Sequence, residues 1–352
     1  MSLALVRCSF PMSFDVKMMQ RCIQLAQLGL GTTYPNPMVG AVLVHEGKII
    51  SEGWHRKAGE PHAEVNALIG ISDPEILQNS TLYVSLEPCA HYGKTPPCAD
   101  LIIEKKIPHV VVGTTDPFSQ VNGQGIEKMK QAGIRVEVGV LEKECRDLNR
   151  RFFWFHQYKR PYVILKWAQT ADGFMAPRDS QQKWISNSYS QQLVHKWRTE
   201  EQAILVGTQT ARVDNPQLIN RSWEGNSPVR IVLDKELKLP ANLNLLDQSH
   251  PTLVFTEIGK EGGENLKFIQ VNFDENLAEL ILHKLYEENI QSVIIEGGKK
   301  TLELFIEKEL WDEARIFTSA LNWRDGLSSP KLRGELKETI NVGSDRLDIY
   351  RR

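Results

Sequence analysis

The chain contains three short segments that together carry the ligands of a metal site: Pro61-His62-Ala63-Glu64, Ser85-Leu86-Glu87-Pro88-Cys89 and Thr95-Pro96-Pro97-Cys98. Imidazole and thiolate groups are good zinc ligands, and three protein ligands leave the fourth tetrahedral position open for water. Zinc lowers the pKa of such a water molecule toward neutrality. The segments therefore predict a catalytic zinc site formed by His62, Cys89 and Cys98, in which Glu64 moves protons.

The order of these residues is typical of zinc-dependent nucleobase deaminases. Their signature is H-x-E, then a Pro-Cys pair, then a second cysteine, and the chain has these elements in that order. Most such deaminases have two residues between the cysteines, whereas eight residues separate Cys89 from Cys98 here. The longer spacing indicates a particular subgroup of the class.

Composition limits the classes of protein to which the chain can belong. Its 352 residues suggest two domains, and its formal net charge of −2 gives no electrostatic basis for nucleic-acid binding. Five cysteines without framework spacing are typical of a reducing compartment. No apolar run is long enough to span a membrane, and the apolar patch within residues 1–10 is too short for the hydrophobic core of a signal peptide. We expect a cytoplasmic protein that starts at Met1 or Met12.

The first half of the chain has the pattern of an α/β domain. Apolar periodicity predicts helices over residues 15–29, 61–69, 98–106 and 123–132 and strands over residues 39–44, 48–54, 81–86, 109–113 and 134–140. Since His62 and Glu64 are two residues apart, they can face one ion only at a helix N-terminus. The dipole of that helix would also stabilise a hydroxide. We predict a sheet sandwiched by helices, with zinc at one edge.

Two more residues of the first half are candidates for substrate binding. Asn36 stands between Pro35 and Pro37, so it is either part of an ordinary turn or a rigidly held amide. Such an amide can both donate to and accept from the edge of a base. His55 follows the second predicted strand and lies seven residues before His62. We predict that Asn36 and His55 contact the substrate.

A basic and aromatic run closes the first half: Arg150-Arg151-Phe152-Phe153-Trp154-Phe155. Interleaved basic and aromatic residues can bind single-stranded nucleic acid. One short run in a nearly neutral chain instead favours a helix packed between domains. We place the domain boundary near Lys159, which gives domains 1–159 and 160–352.

The second half also alternates strands and helices. Predicted strands lie at residues 162–167, 203–206, 230–233, 253–256 and 292–295, and predicted helices at 186–198, at 277–288 and from 301 onward, the first of them capped by Ser186. Without a G-x-G-x-x-G fingerprint, an ordinary Rossmann domain is disfavoured. Gly297 and Gly298 lie between a strand and a helix, where glycines let a phosphate approach a helix N-terminus. The residues alone predict no reaction for this half.

Nearly the whole chain resembles the bifunctional deaminase/reductase family of riboflavin biosynthesis. The strings that carry the resemblance are Tyr34-Pro35-Asn36-Pro37, Ala58-Gly59-Glu60-Pro61-His62-Ala63-Glu64-Val65, Leu86-Glu87-Pro88-Cys89-Ala90-His91-Tyr92-Gly93-Lys94-Thr95-Pro96-Pro97-Cys98, Lys166-Trp167-Ala168, Asp172-Gly173, Trp184-Ile185-Ser186, Asp214-Asn215-Pro216 and Glu296-Gly297-Gly298. The resemblance implies a cytidine-deaminase-like three-layer α/β/α domain followed by a dihydrofolate-reductase-like α/β domain. It also implies deamination of a phosphoribosylaminopyrimidine and then reduction of its ribosyl chain by NADPH.

The resemblance also implies roles for single residues. Zinc would be bound by His62, Cys89 and Cys98, and Glu64 would take a proton from the zinc-bound water and pass it to the leaving amine. Cofactor contacts would come from Ala168, Trp184, Thr210, Asp214, Gly298, Lys299, Lys300, Thr301, Leu302, Glu303 and Leu304. Apart from the resemblance, the charge of Lys235 could face the 2′-phosphate of a cofactor, although the neighbouring Asp234 would repel it. Substrate contacts in the second domain would come from Gln182, Arg198, Leu218, Arg221 and Glu296. Arg198 and Arg221 suit a phosphate, since guanidinium groups bind it through two hydrogen bonds.

Several alternatives stay open at this point. The chain could be a cytidine or tRNA adenosine deaminase with an unrelated C-terminal domain, or a deaminase whose reductase half is degenerate. It could also be a binding module with a structural zinc ion, which a fourth ligand such as His55 or His91 would close. The sequence leaves the oligomeric state open, a homo-oligomer included.

Overall fold

The structure, a computed structural model, describes residues 13–92, 96–117, 123–178 and 185–352. It divides into two compact units, Met1–Gln157 and Tyr158–Arg352. Both units are α/β, which confirms the predicted fold class. Within the described ranges, no helix combines the length and the apolar character that a membrane span needs.

The first unit is built on a mixed sheet of five strands in the order β2-β1-β3-β4-β5. The strands are β1 (Gly40–His45), β2 (Lys48–Trp54), β3 (Ser80–Leu86), β4 (His109–Thr114) and β5 (Arg135–Val138). The helices are α1 (Phe14–Gln27), α2 (Ala63–Leu68), α3 (Pro74–Gln78), α4 (Cys98–Glu104), α5 (Gln124–Gln131), α6 (Glu142–Leu148) and α7 (Arg150–Tyr158). β1 pairs antiparallel with β2 and β3, and β3, β4 and β5 run parallel.

Helices cover both faces of this sheet because successive side chains of a strand point to opposite faces. Ala41 and Leu43 of β1 pack with apolar residues of α2, α4 and α5. Val42 and Val44 pack on the other face, with residues of α1 and α6. Cys22 of α1 is fully buried in this second cluster. The layers are those of the predicted α/β/α sandwich.

The second unit is built on a sheet of nine strands in the order β11-β10-β9-β8-β12-β6-β13-β16-β15. Its strands are β6 (Tyr162–Gln169), β8 (Ala203–Val206), β9 (Val229–Leu233), β10 (Thr252–Thr256), β11 (Leu266–Gln270), β12 (Ser292–Glu296), β13 (Glu313–Thr318), β15 (Glu335–Val342) and β16 (Asp345–Arg351). The strands from β11 to β13 in this order are parallel, and β16 pairs antiparallel with both β13 and β15. β7 (Phe174–Ala176) and β14 (Leu327–Ser328) form a separate pair.

Four α-helices connect these strands within the described residues 158–178 and 185–352. They are α8 (Ser188–Glu200), α9 (Thr208–Asp214), α10 (Leu277–Glu287) and α11 (Lys299–Glu307), with a short 3-10 turn at Asn244–Leu246. One large apolar core joins α10 and α11 to the parallel strands, with Leu282, Leu302 and Phe305 as fully or almost fully buried members. The carboxyl ends of β9, β8, β12 and β6 are neighbours at one edge of the sheet, where open α/β sheets bind their ligands.

The structure corrects several predictions of local structure. The helix over residues 188–200 is capped by Asn187, whose side chain accepts the N–H of Ser190, and not by Ser186. α11 begins at Lys299, two residues before the predicted start. β15 was missed because nearly all of its side chains are exposed, so its sequence lacks an apolar alternation.

Candidate active sites

The predicted zinc ligands meet at the ends of three different elements. His62 is the N-cap residue of α2, Cys89 lies three residues beyond the end of β3, and Cys98 is the first residue of α4. The Nδ1 atom of His62 lies 3.6 Å from the Sγ of Cys89 and 3.3 Å from the Sγ of Cys98. The structure therefore brings together residues that are up to 36 positions apart in the sequence.

This geometry fits a zinc ion. In a tetrahedral zinc site, bond lengths of about 2.0–2.1 Å to nitrogen and about 2.3 Å to sulfur place a nitrogen ligand and a sulfur ligand about 3.6 Å apart. The three ligand atoms lie within 4.8 Å of one another, and in the described part of the chain no other group of metal-binding side chains is this close. Hydrogen bonds from Cys98 and His62 hold the pKa of the Cys89 thiol well below its usual range, which favours the thiolate that a metal needs.

Glu64 stands beside these ligands, in the first turn of α2, and is almost completely buried. Burial and the nearby Cys89 raise the pKa of its carboxyl group to about 7, although His62 acts in the opposite direction. A cation at the site would lower this pKa again. Its carboxylate also shares a hydrogen bond with Cys98. Glu64 is thus placed where a proton can be taken up and released next to the ligand set.

His55 is already committed to other partners. Its Nδ1 lies 3.2 Å from the carbonyl oxygen of Pro61, and its Nε2 lies 3.1 Å from the side-chain nitrogen of Asn36. Because a carbonyl only accepts, Nδ1 carries the proton and Nε2 accepts from Asn36. His55 is therefore not available as a fourth zinc ligand, and this bond leaves the amide oxygen of Asn36 for another donor.

Asn149, which no sequence pattern singles out, holds the loop of Asn36. The side chain of Asn149 is buried between α6 and α7, and it accepts the N–H of Met38 at 2.8 Å and donates to the carbonyl of Met38 at 2.8 Å. This pair of bonds fixes the backbone two residues from Asn36. The neighbouring aromatic residues Phe152 and Phe153 are buried against Leu86, so they are not free to stack on bases.

A second buried carboxylate positions Cys89. Glu87 accepts backbone N–H groups from Asp116, Gly123, Gly125 and Ile126 at 2.9–3.4 Å. These bonds tie the start of α5 to the segment that carries Pro88 and Cys89. The contact between α5 and Pro88 is so close that a Cβ atom added to Gly125 would lie 2.0 Å from the carbonyl oxygen of Pro88.

Replacing Gly125 by alanine should therefore weaken the zinc site. The methyl group must push Pro88 and Cys89 away from α5, at a cost of about 1–3 kcal/mol, although alanine is otherwise the better helix former. We expect a lower melting temperature and faster loss of zinc to a chromophoric chelator. The matched control is Gln124→Ala at the exposed neighbouring position of the same helix. Equal zinc retention by the two variants would contradict this account of the contact.

The second candidate site lies at the carboxyl ends of the parallel strands of the second unit. Lys166 of β6 and Glu296 of β12 are direct partners in adjacent strands, with 2.6 Å between Nζ and Oε1. Arg198 of α8 donates to the other oxygen of Glu296 at 2.8 Å and to the carbonyl of Ile219 at 3.2 Å. Burial would raise the pKa of Glu296, but Lys166 and Arg198 outweigh it and bring this pKa to about 2. Lys166 belongs to the string Lys166-Trp167-Ala168, but its residue type and position in the sequence indicate no role for it.

The predicted cofactor residues lie along the same edge. Ala168 is near the end of β6, Thr210 and Asp214 are on α9 after β8, and Lys235 follows β9. The hydroxyl of Thr210 accepts the N–H of Gly298 at 2.8 Å, which joins α9 to the start of α11. Lys235 lies 3.4 Å from Glu257 and is half exposed.

The N-terminus of α11 suits a phosphate. A Cβ atom on Gly207, the residue before α9, would lie only 2.2 Å from the hydroxyl of Thr301, so the two helix starts pack as closely as glycine allows. The N–H groups of Lys299 and Lys300 come before the first intrahelical bonds, which Thr301 and Leu302 donate to Gly298. Leu302 is fully buried in the core, so its side chain is not available to a cofactor. These observations fit a dinucleotide phosphate at the start of α11.

The other predicted residues are placed as follows. Leu218 is buried with a φ of 54°, and Arg221 is exposed and donates to the side chain of Gln217 at 3.2 Å. Glu303 lies 3.7 Å from Lys299, and Leu304 packs against the edge of the core. Gln182 and Trp184 lie outside the described residues. His91, the other suggested fourth ligand, is exposed and is not part of the ligand group among the described residues.

Two family models match the chain, one for each unit. Residues 12–114 match the model described as the cytidine and deoxycytidylate deaminase zinc-binding region. Residues 161–321 match the model described as the RibD C-terminal domain. The two matches support the predicted cytidine-deaminase-like and reductase-like folds.

Curated proteins and solved structures match over nearly the full length. The riboflavin biosynthesis protein RibD of Aquifex aeolicus is 41% identical over 96% of this chain and 98% of its own. A structure from Thermotoga maritima, a diaminohydroxyphosphoribosylaminopyrimidine deaminase/5-amino-6-(5-phosphoribosylamino)uracil reductase, has a TM-score of 0.89 and 37% identity, over 96% of this chain and 98% of that one. RibD of Acinetobacter baumannii has a TM-score of 0.88 and 32% identity over the same shares.

Proposed function

The chain belongs to the RibD family, and we propose that it acts on 2,5-diamino-6-(5-phosphoribosylamino)pyrimidin-4(3H)-one in two consecutive steps. It is a bifunctional enzyme of riboflavin biosynthesis, with a zinc-binding deaminase domain followed by a reductase domain. The first step replaces the 2-amino group by oxygen and releases ammonia. The second reduces the ribosyl chain to a ribityl chain. The Thermotoga maritima relative, which is named for both activities, supports this substrate.

The observation that carries the first step is the convergence of His62, Cys89 and Cys98 beside Glu64. When bound by these three residues, zinc would supply a hydroxide nucleophile at neutral pH. The Glu64 carboxylate, buried and close to the ligands, would take a proton at Oε and deliver it to the departing amine. A structural zinc site is disfavoured because both ring nitrogens of His55 have other partners.

Asn36 would bind the pyrimidine. Asn149 holds its loop, and the hydrogen bond to His55 directs its amide nitrogen. The amide oxygen would then accept a hydrogen bond from an N–H or amino group of the base. His55 would act through Asn36 and keep the amide in one orientation.

For the second step, we assign NADPH to the edge formed by α9, Lys235 and the start of α11. The cofactor would supply a hydride to the sugar carbon. Lys166 would supply the accompanying proton from Nζ, which Glu296 holds at 2.6 Å. Because Glu296 already occupies one end of the Arg198 guanidinium, the exposed Arg221 is the better candidate for the substrate phosphate.

A coupled assay tests the two steps in the intact protein. Given the diaminopyrimidinone and NADPH, we expect one NADPH oxidised for each ammonia released, with no oxidation before deamination. Replacing NADPH by NADH should lower the rate, because Lys235 is the charge that we assign to the 2′-phosphate. Ammonia release without NADPH oxidation would show a degenerate reductase half, and equal rates with both cofactors would remove the role of Lys235.

A further inference from the structure

Two side chains of α8 form hydrogen bonds with the backbone of the loop that carries Arg221. His195 and Arg198 are one helical turn apart on this helix. Nδ1 of His195 accepts the backbone N–H of Arg221 at 3.2 Å, and the guanidinium of Arg198 donates to the carbonyl of Ile219 at 3.2 Å. The segment between these two bonds is therefore fixed at both of its ends.

The bond to Arg221 requires a neutral imidazole. A backbone N–H only donates, so Nδ1 must be unprotonated, whereas both nitrogens of an imidazolium ion are donors. His195 is 9% exposed. The charged groups around it are Arg198 on the same helix, Arg221 on the hydrogen-bonded loop and Glu296 at the end of β12. Burial, with Arg198 and Arg221, lowers the pKa of His195, which keeps it neutral at pH 7.

The hydrogen bond from Arg221 to His195 affects phosphate recognition because it fixes the backbone from which the Arg221 side chain extends. Its guanidinium is exposed and has a neutral partner, the amide oxygen of Gln217. A long exposed side chain can reach a phosphate from many backbone positions, but it binds well only when its starting point is held. His195 holds that starting point through the N–H of Arg221 itself.

We propose that His195 is a positioning residue for the substrate phosphate, acting through the backbone of Arg221. The inference rests on the proposed function, which assigns the phosphate to Arg221. It adds a specificity role for a histidine that lies outside both the proposed proton-transferring group, Lys166, and the proposed cofactor edge. It also predicts that protonation of His195 changes the KM for the phosphorylated substrate and not the rate of hydride transfer.

The test compares two variants on two substrates, with the deaminated pyrimidine supplied directly. His195→Leu removes the acceptor, and His195→Asn retains an oxygen close to the place of Nδ1. For the phosphorylated substrate we expect a KM raised about tenfold by His195→Leu and within about twofold of the wild type for His195→Asn. For the same compound without its 5′-phosphate, His195→Leu should change kcat/KM by less than about twofold. Gln192→Leu, at an exposed position of α8, is the matched control.

The pH profile gives a readout that a merely structural histidine would not move. Because the pKa of His195 is held below its ordinary value by burial and by Arg198 and Arg221, protonation breaks the bond to Arg221 at a lower pH than an ordinary histidine would require. The KM of the wild type should rise in that acidic range. The phosphate itself titrates near pH 6, but it does so equally in His195→Asn. The difference between the pH profiles of the wild type and His195→Asn therefore isolates the effect of His195 protonation on KM.

The outcomes separate this inference from the proposed function. If Arg221→Ala leaves the KM for the phosphorylated substrate unchanged, the assignment of the phosphate to Arg221 is wrong. If Arg221→Ala raises that KM but His195→Leu does not, or raises it equally for both substrates, the positioning role of His195 is wrong. Should His195→Leu fold poorly, parallel pH profiles of wild type and His195→Asn would overturn the inference alone.

Discussion

Replacing Glu64 by glutamine is expected to lower the rate of ammonia release by about 10²–10⁴-fold, which is the usual contribution of a general acid/base. Glutamine has nearly the same shape, but it cannot take a proton from water and pass it to the leaving amine. Glu64 is not among the three ligand residues, so the zinc content of the purified variant should equal that of the wild type. The rate is measured as ammonia, and zinc by mass spectrometry.

The second half of the chain supplies an internal control for this variant. Glu64→Gln should not oxidise NADPH when it is given the diamino substrate, and should oxidise it at the wild-type rate when given the deaminated compound. Glu104→Gln, at an exposed position of α4, should leave both rates unchanged. Ammonia release near the wild-type rate in Glu64→Gln would mean that another group moves the proton.

Replacing Glu296 by alanine is expected to destabilise the second unit by about 3 kcal/mol and to abolish reduction. The change leaves Lys166 and Arg198 without their shared carboxylate. Their side chains are only 15% and 12% exposed, so water cannot replace the lost partner. Removing one partner of a buried ion pair costs far more than the pair contributes, because the remaining charges stay desolvated. A lower urea midpoint and the absence of NADPH oxidation would report the two effects, while ammonia release should persist.

The control for this variant is an exposed ion pair of the same unit. Glu288 contacts Lys267 at 2.6 Å, with side chains 32% and 57% exposed, so Glu288→Ala should cost at most about 1 kcal/mol. The pH dependence follows from the pKa of Glu296, which is about 2 against an ordinary 4.5. A lowered pKa stabilises the fold above pH 4.5, and this contribution is lost as pH falls toward 2. The difference between wild type and Glu296→Ala should therefore shrink below pH 4.5, and a difference independent of pH would contradict the ion-pair account.

The zinc site was the part of this protein most open to prediction from residues. Metal chemistry allows few side-chain types, and the signature around His62 and Cys89 names them in order. The second site was far less predictable from local pattern. Lys166, for example, is an ordinary polar position in a strand until β12 places Glu296 beside it.

Local patterns predicted most buried strands and long helices, because burial on one face imposes a period on the residues. They could not predict β15, whose side chains are exposed, or helix starts that depend on contacts with other segments. Asn149 and His195 belong to the same category. Each holds a loop with a proposed substrate-binding residue through a backbone group 111 or 26 residues away, and backbone groups leave no trace in the residue types.

Residue types alone predicted a zinc site, the proton-transfer role that we propose for Glu64 and an α/β organisation, since each depends on chemistry or periodicity within a short stretch. The pairing of Lys166 and Arg198 with Glu296, the neutral form of His195 and the choice of Arg221 as the proposed phosphate residue all depended on the tertiary structure. Hydrogen bonds and ion pairs require atoms within about 3–4 Å, and only folding brings distant segments that close.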